Sequence, residues 1–188
     1  MSEPTVFAPG FLLAPPSLTD PNFGRSVVLL AAHEGSGAMG FVINRPGKIQ
    51  LHALLEDLSM KPSIEDRQVL IGGPVQGFSG FVLYEHPADE PAGPGITISP
   101  TVSVSPSRDV LEKAVQGQLS GRFELLLGYA GWGAGQLDHE LDHGGWLHTE
   151  FDPEILFDVV VGDRWCELYD RIGIDVGALI SVPGGAQA

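Results

Sequence analysis

Apolar residues in this chain come in short runs that turn residues cut off before they can lengthen. Runs at 11–14, 26–32, 38–43, 69–71, 80–84, 96–99, 122–127 and 155–161 have the length and composition of strands. Helical spacing is rarer. Leu51, Leu54, Leu55 and Leu58 follow the i, i+3, i+4, i+7 rule. Val110, Leu111, Ala114 and Val115 form a second stripe, with Ser105 as its N-cap and Pro106 at the first helical position. Residues 136–143 and 163–172 read as two further helices, the latter capped by Asp163, and a short turn of helix lies at 175–180. Residues 34–37 make a turn between two strong strands, so hairpins are expected. Strands do not alternate regularly with helices, which argues against a doubly wound parallel sheet. The expected fold is α+β, a mainly antiparallel, barrel-like β-sheet with flanking helices. Residues 85–95, rich in proline and acids, read as an exposed loop, and 183–188 as a loose tail.

A chain of 188 residues that is 43% apolar is expected to be one folded domain over 1–188. The run at 27–32, the longest, is too short to span a bilayer, and the opening Met1-Ser2-Glu3-Pro4 lacks the basic and apolar parts of a secretory signal. The lone Cys166 cannot form an internal disulfide; beside Trp165 on an amphipathic helix, it reads as a packed thiol. A cytoplasmic protein without a membrane partner is expected. The net charge of −14, with no Lys/Arg-rich run, disfavours direct binding to nucleic acid.

The densest chemistry lies at 128–141, GYAGWGAGQLDHEL, where four glycines, Tyr129 and Trp132 run into a charged helix. Extended to His143, the segment spells H-E-x-x-H, in which two histidines one helical turn apart bind zinc and the glutamate activates water. His148, Glu150 and Asp152 are available as third ligands. Helix geometry disfavours the metal: His139 points about 180° and His143 about 140° from the centre of the Leu137–Leu141 stripe. Gly144 and Gly145 then stop the helix at once. A second reading is an anion held by backbone N–H groups at 133–136, but G-x-G-x-x-G fails at Gln136 and no P-loop Lys follows. In the third, Gln136 and Glu140, i and i+4 on the helix flank beside Trp132, form one side of a polar site. Trp132, Trp146 and Trp165 read as core anchors.

A second polar cluster comprises Asp20, Asn22, Arg25, Ser26 and His33. Asp20-Pro21-Asn22 reads as a turn whose carboxylate takes local N–H bonds, with Arg25 as a bidentate partner. Ser26, His33 and Asp20 have the residue types of a nucleophile, base and orienter, but no G-x-S-x-G elbow surrounds Ser26. Asn44-Arg45-Pro46 ends a strand, where Arg45 binds an anion or staples a carboxylate.

Several segments together resemble the YqgE/AlgH family. They are Pro16-Ser17-Leu18-Thr19-Asp20-Pro21-Asn22-Phe23 with Arg25-Ser26-Val27-Val28-Leu29-Leu30, then His33, Gly37-Ala38-Met39-Gly40 and Ile43-Asn44-Arg45-Pro46. Gly72-Gly73-Pro74-Val75 matches the middle motif. Gly128-Tyr129-Ala130-Gly131-Trp132, Gly135-Gln136-Leu137, Glu140-Leu141 and Trp146-Leu147 match the late one, which does not ask for His139 or His143. The resemblance implies a bacterial, cytoplasmic protein with an α+β fold around a β-barrel. It carries a transcriptional-regulator label from alginate control and no established reaction, ligand or cofactor. The leading expectation is a non-enzymatic binding or regulatory protein. Its candidate ligand-binding residues Asp20, Arg25, Ser26, His33, Asn44, Arg45, Gln136 and Glu140 are expected to converge on one cleft for a small anion or a protein partner. The alternative is a small-molecule hydrolase using Ser26 and His33, or a metal at His139 and His143; the third is a DNA-binding regulator.

Overall fold

The computed structural model of the chain describes residues 6–180, so the expected tail at 183–188 lies outside them. The strands are β1 (Gly10–Leu13), β2 (Val27–Glu34), β3 (Gly37–Val42), β4 (Pro46–Gln50), β5 (Gln68–Ile71), β6 (Val75–Glu85), β7 (Ile96–Ser99), β8 (Val102–Ser105), β9 (Phe123–Gly133) and β10 (Leu147–Glu150). The helices are α1 (Leu51–Asp57), α2 (Arg108–Val115), α3 (Gln136–Asp142), α4 (Pro153–Phe157), α5 (Arg164–Arg171) and α6 (Val176–Ile180). The strands curl into a half-barrel sheet ordered β10-β1-β2-β3-β9-β6-β8-β7, antiparallel along that path. Strand β4 pairs with β5, and β5 lies parallel to β9. The fold is α+β, as the pattern of short apolar runs predicts. Among the described residues no helix is long and apolar enough to cross a membrane.

Strand β2 reads as unbroken apolar sequence because both of its faces are covered. Val27, Leu29 and Ala31 pack with Phe11, Phe41 and the α5 residues Trp165, Leu168 and Tyr169. Val28 and Leu30 face the other way, onto Trp132, Leu137 and Trp146. A third cluster fills the space between the sheet and α1 and α2.

Strand β9 ties these layers together. Phe123, Leu125 and Leu127 face α1 and α2, whereas Ala130 and Trp132 face α3. That switch of parity needs one irregular residue, and Gly128, at φ +74, supplies it. Gly73 lies directly against this point. A Cβ on Gly73 would run into the backbone of Tyr129, and one on Gly128 into the Gly73 carbonyl. The two glycine motifs are therefore the two sides of one tight backbone crossing.

Arg164, 2% exposed, anchors α5 to the sheet. Its guanidinium pairs with Glu124 on β9 and donates to the carbonyls of Ile43, Leu156 and Val159. This satisfies a buried charge on every side.

Several local expectations are corrected. The run at 155–161 is not a strand: Pro153 opens α4, and the Asp152 carboxylate caps it by accepting from the Glu154 N–H at 3.0 Å. Helix α2 starts behind Ser107 rather than Ser105. Pro106 holds Ser105 extended, so Ser105 ends β8, and its hydroxyl donates to the Pro94 carbonyl. Asp163 precedes α5 but makes no side-chain cap bond. Cys166 is exposed, because α5 turns Trp165 and Tyr169 inward instead. Strands β4, β8 and β10 have no counterpart among the sequence-based expectations. They are short and carry Pro, Ser, Gln, His or Thr where an apolar run would mark a strand.

Candidate functional site

The late motif folds into a compact polar bracket at the end of β9. Gly135, at φ +70, turns the strand into α3. Gln136 and Glu140, one helical turn apart, then face the same side. The Gln136 Oε1 accepts from the Gly133 N–H at 3.0 Å, and its amide donates to Glu140 Oε1 at 2.9 Å. Glu140 Oε2 accepts from two indoles, Trp132 Nε1 at 2.9 Å and Trp146 Nε1 at 2.8 Å. Trp146 can return to this carboxylate because α3 ends in a paired-bond C-cap. Gly145 N–H donates to the Glu140 carbonyl at 2.7 Å and Gly144 N–H to the Leu141 carbonyl at 3.1 Å. The glycines that stop the helix thus aim the second tryptophan.

Opposite the bracket stands the turn at 18–23. Asp20 Oδ1 accepts from the N–H groups of Asn22 at 2.8 Å and Phe23 at 3.0 Å. Residues beyond the end of β3 pin this turn from behind. Arg45 donates to the carbonyls of Pro21, Asn22 and Gly24. Asn44 accepts from the Val27 N–H and donates to the Arg25 carbonyl, each at 2.8 Å. The Ser26 hydroxyl, buried, donates to the Phe23 carbonyl at 2.7 Å. Arg25 does not pair with Asp20; its guanidinium lies 5.8 Å from the Trp165 ring centre.

Between turn and bracket lies a cleft of about 350 Å³. Leu18, Asp20 and Phe23 form one wall, and Trp132, Gln136, Glu140 and Trp146 the other. The rings meet edge to face: Phe23 and Trp146 at 5.6 Å and 84°, Trp132 and Trp146 at 6.1 Å and 77°. The tryptophans expected as core anchors are buried, and Trp132 and Trp146 also wall the cleft. Sequence reasoning did not give that role to Trp132, Trp146 or Phe23. The available signal was two indole N–H groups in the motif that carries Glu140, since a buried indole needs an acceptor.

The eight candidate residues therefore divide. Asp20, Gln136 and Glu140 line the cleft; Arg25, Ser26, Asn44 and Arg45 belong to the turn or to its bracing. His33 is elsewhere, at the far end of β2, with Nε2 3.3 Å from Asp138 and Nδ1 3.4 Å from the Phe7 N–H. Ser26 and His33 are separated by most of an extended strand, roughly 20 Å. They do not form a nucleophile–base pair. His139 sits exposed on α3 and His143 is exposed at its C-cap, with His143 Nδ1 2.8 Å from the His139 carbonyl oxygen. Among the described residues no group of three or more His, Cys, Asp or Glu is arranged to hold a metal ion. A separate groove of about 210 Å³ is lined mainly by apolar side chains, among them Leu54, Leu58, Val82, Leu111 and the fully exposed Phe78, with Ser107 and Arg108 as its polar members.

The molecule is an α+β domain, a curled half-barrel with helices on its faces and a Trp–Glu–Trp bracket where its glycine-aromatic motif meets a short helix. This chain belongs to the AlgH-like family, whose model matches residues 11–177. A UPF0301 protein of Anaeromyxobacter dehalogenans is 38% identical over 192 residues, 98% of each chain. The solution structure of the AlgH protein from Pseudomonas aeruginosa is similar with a TM-score of 0.75 at 38% identity, over 99% of both chains. A crystal structure of a Corynebacterium diphtheriae protein shares the fold at 21% identity, with a TM-score of 0.69 over 91% of this chain and 90% of that one.

Proposed function

We propose that this protein is a cytoplasmic, non-enzymatic binding or regulatory protein that takes its ligand in the cleft between the 18–23 turn and α3. The observation that carries this reading is the double indole bond to Glu140. It holds two large rings and a carboxylate in one fixed arrangement beside an open space of ligand size. Asp20, Gln136 and Glu140 are the polar contacts in this reading, and Arg45, Asn44 and Ser26 keep the opposing turn in place. A hydrolase is not favoured, because the Ser26 hydroxyl is bonded to a backbone carbonyl and His33 lies far along the strand. Direct DNA binding fits poorly with a net charge of −14 and a cleft whose ionisable lining groups are acids.

Soaking crystals with a library of small fragments tests the proposal. Bound fragments are expected to gather between Phe23, Trp132 and Trp146. Fragments that gather in the Phe78 groove, or elsewhere, while this cleft stays empty would overturn it.

A further inference from the structure

The ligand's chemistry can be narrowed, on the premise that this cleft is the ligand site. We infer that the cleft receives a cation, an ammonium head group, rather than the small anion that the glycine-rich turn suggests. The ionisable side chains lining it are those of Asp20 and Glu140. Among the described residues, neither has a Lys, Arg or His partner within salt-bridge distance, although seven other acids pair with arginine. The donors that hold Glu140, two indoles and an amide, are neutral, so its charge is oriented but not cancelled.

The walls suit the same ligand. Indole faces attract ammonium groups more strongly than other aromatic faces do, and tryptophan cages are a common way to bind alkylated ammonium. Trp132, Trp146 and Phe23 pack edge to face and line the cleft together, so a cation there meets the small exposed part of each indole, 7% of each tryptophan. An anion finds less. Gly133 N–H, at the turn where phosphate would bind, already donates to Gln136. Helix α3, at seven residues, is too short to present a strong N-terminal field. The overall charge of −14 raises the local concentration of cations and lowers that of anions.

An ammonium group can arrive on a small molecule or on a lysine side chain of a partner. The test is titration of the full chain at low salt, read from its three indole N–H resonances. Trp165, whose N–H donates to the Ala14 carbonyl inside the core, serves as the internal reference. The probes are choline, a short neutral peptide carrying trimethyl-lysine, 3,3-dimethylbutan-1-ol as the neutral isostere of choline, and inorganic phosphate.

Choline is expected to move Trp132 and Trp146 but not Trp165, with the isostere about tenfold weaker. Asp20→Asn, which keeps the turn's acceptor, is expected to weaken choline several-fold without changing the free protein's indole spectrum. Choline equal to or tighter than the peptide supports a small-molecule source; a peptide tighter by about tenfold supports a lysine side chain. If the isostere or phosphate binds as well as choline, the cation inference is overturned while the cleft remains a ligand site. If no probe moves Trp132 or Trp146, the cation inference is overturned, while the cleft as a ligand site stands or falls on the fragment soak.

Discussion

Removing the Glu140 carboxylate should loosen the whole bracket, and the size of the loss can be worked from its bonds. Trp132 and Trp146 are each 7% exposed, and each donates its N–H to Glu140 Oε2. A hydrogen bond to a charged acceptor contributes about 1.5–3 kcal/mol, so two such bonds suggest roughly 3–6 kcal/mol. Glu140 is only half buried and borders an open cleft, so water can replace part of what Glu140→Ala removes. That places the expected cost near the lower end, about 3 kcal/mol, which is large against a typical total stability of about 5–15 kcal/mol. Glu140→Gln keeps one acceptor oxygen and should cost about 1 kcal/mol. Urea unfolding followed by tryptophan fluorescence measures both, with an unchanged m value showing that stability alone has moved. A double-mutant cycle with Trp132→Phe, which deletes the indole N–H, should return a coupling of about 1 kcal/mol or more. An Ala variant within about 0.5 kcal/mol of the parent, with no coupling in the cycle, would refute the view that this carboxylate holds the rings.

Other perturbations probe the frame around the site. Arg164→Met leaves Glu124 partly buried without its partner and should cost about 3–5 kcal/mol in urea unfolding; adding Glu124→Gln should recover part of that loss. The Arg122 guanidinium beside Glu85 holds the glutamate's pKa below its ordinary value of about 4.5. A depressed carboxylate pKa contributes stability that is present above the ordinary value and lost as pH falls through the lowered one. The acid limb of the pH–stability curve should therefore flatten in Arg122→Gln, and an unchanged limb would count against the pair. Cys166, being exposed, should react with one equivalent of a water-soluble thiol reagent in the native protein with no loss of secondary structure by circular dichroism; a thiol that reacts only after unfolding would contradict its placement on α5.

The fold class was legible because strand-length apolar runs between turn residues leave few architectures open. The residue-by-residue errors have physical causes. Residues 155–161 carry an apolar run that could be strand or helix, and the deciding signal was Asp152 followed by Pro153, a cap and a first helical residue. Ser105 looked like a helix cap because of Pro106, whose stronger effect was to extend the residue before it. Strand β10 has little apolar pattern of its own; it exists because β1 offers it an edge. Within the site, the i, i+4 pair of Gln136 and Glu140 was readable from helix spacing. The contribution of Trp146 was not, because it depends on the turn after α3 bringing the chain back to Glu140. Arg45 and Asn44 were read as possible ligand contacts. Their bonds go to backbone atoms at 21–27, long-range pairings that sequence spacing does not encode.

We propose that the Trp132–Glu140–Trp146 cleft is where this protein meets its ligand. The most direct measurement of this is the indole N–H spectrum of the purified protein before and after exposure to the low-mass fraction of a cell extract. The Trp132 and Trp146 resonances are expected to move while Trp165 stays in place. Backbone shifts gathered elsewhere on the molecule, with Trp132 and Trp146 unmoved, would contradict it.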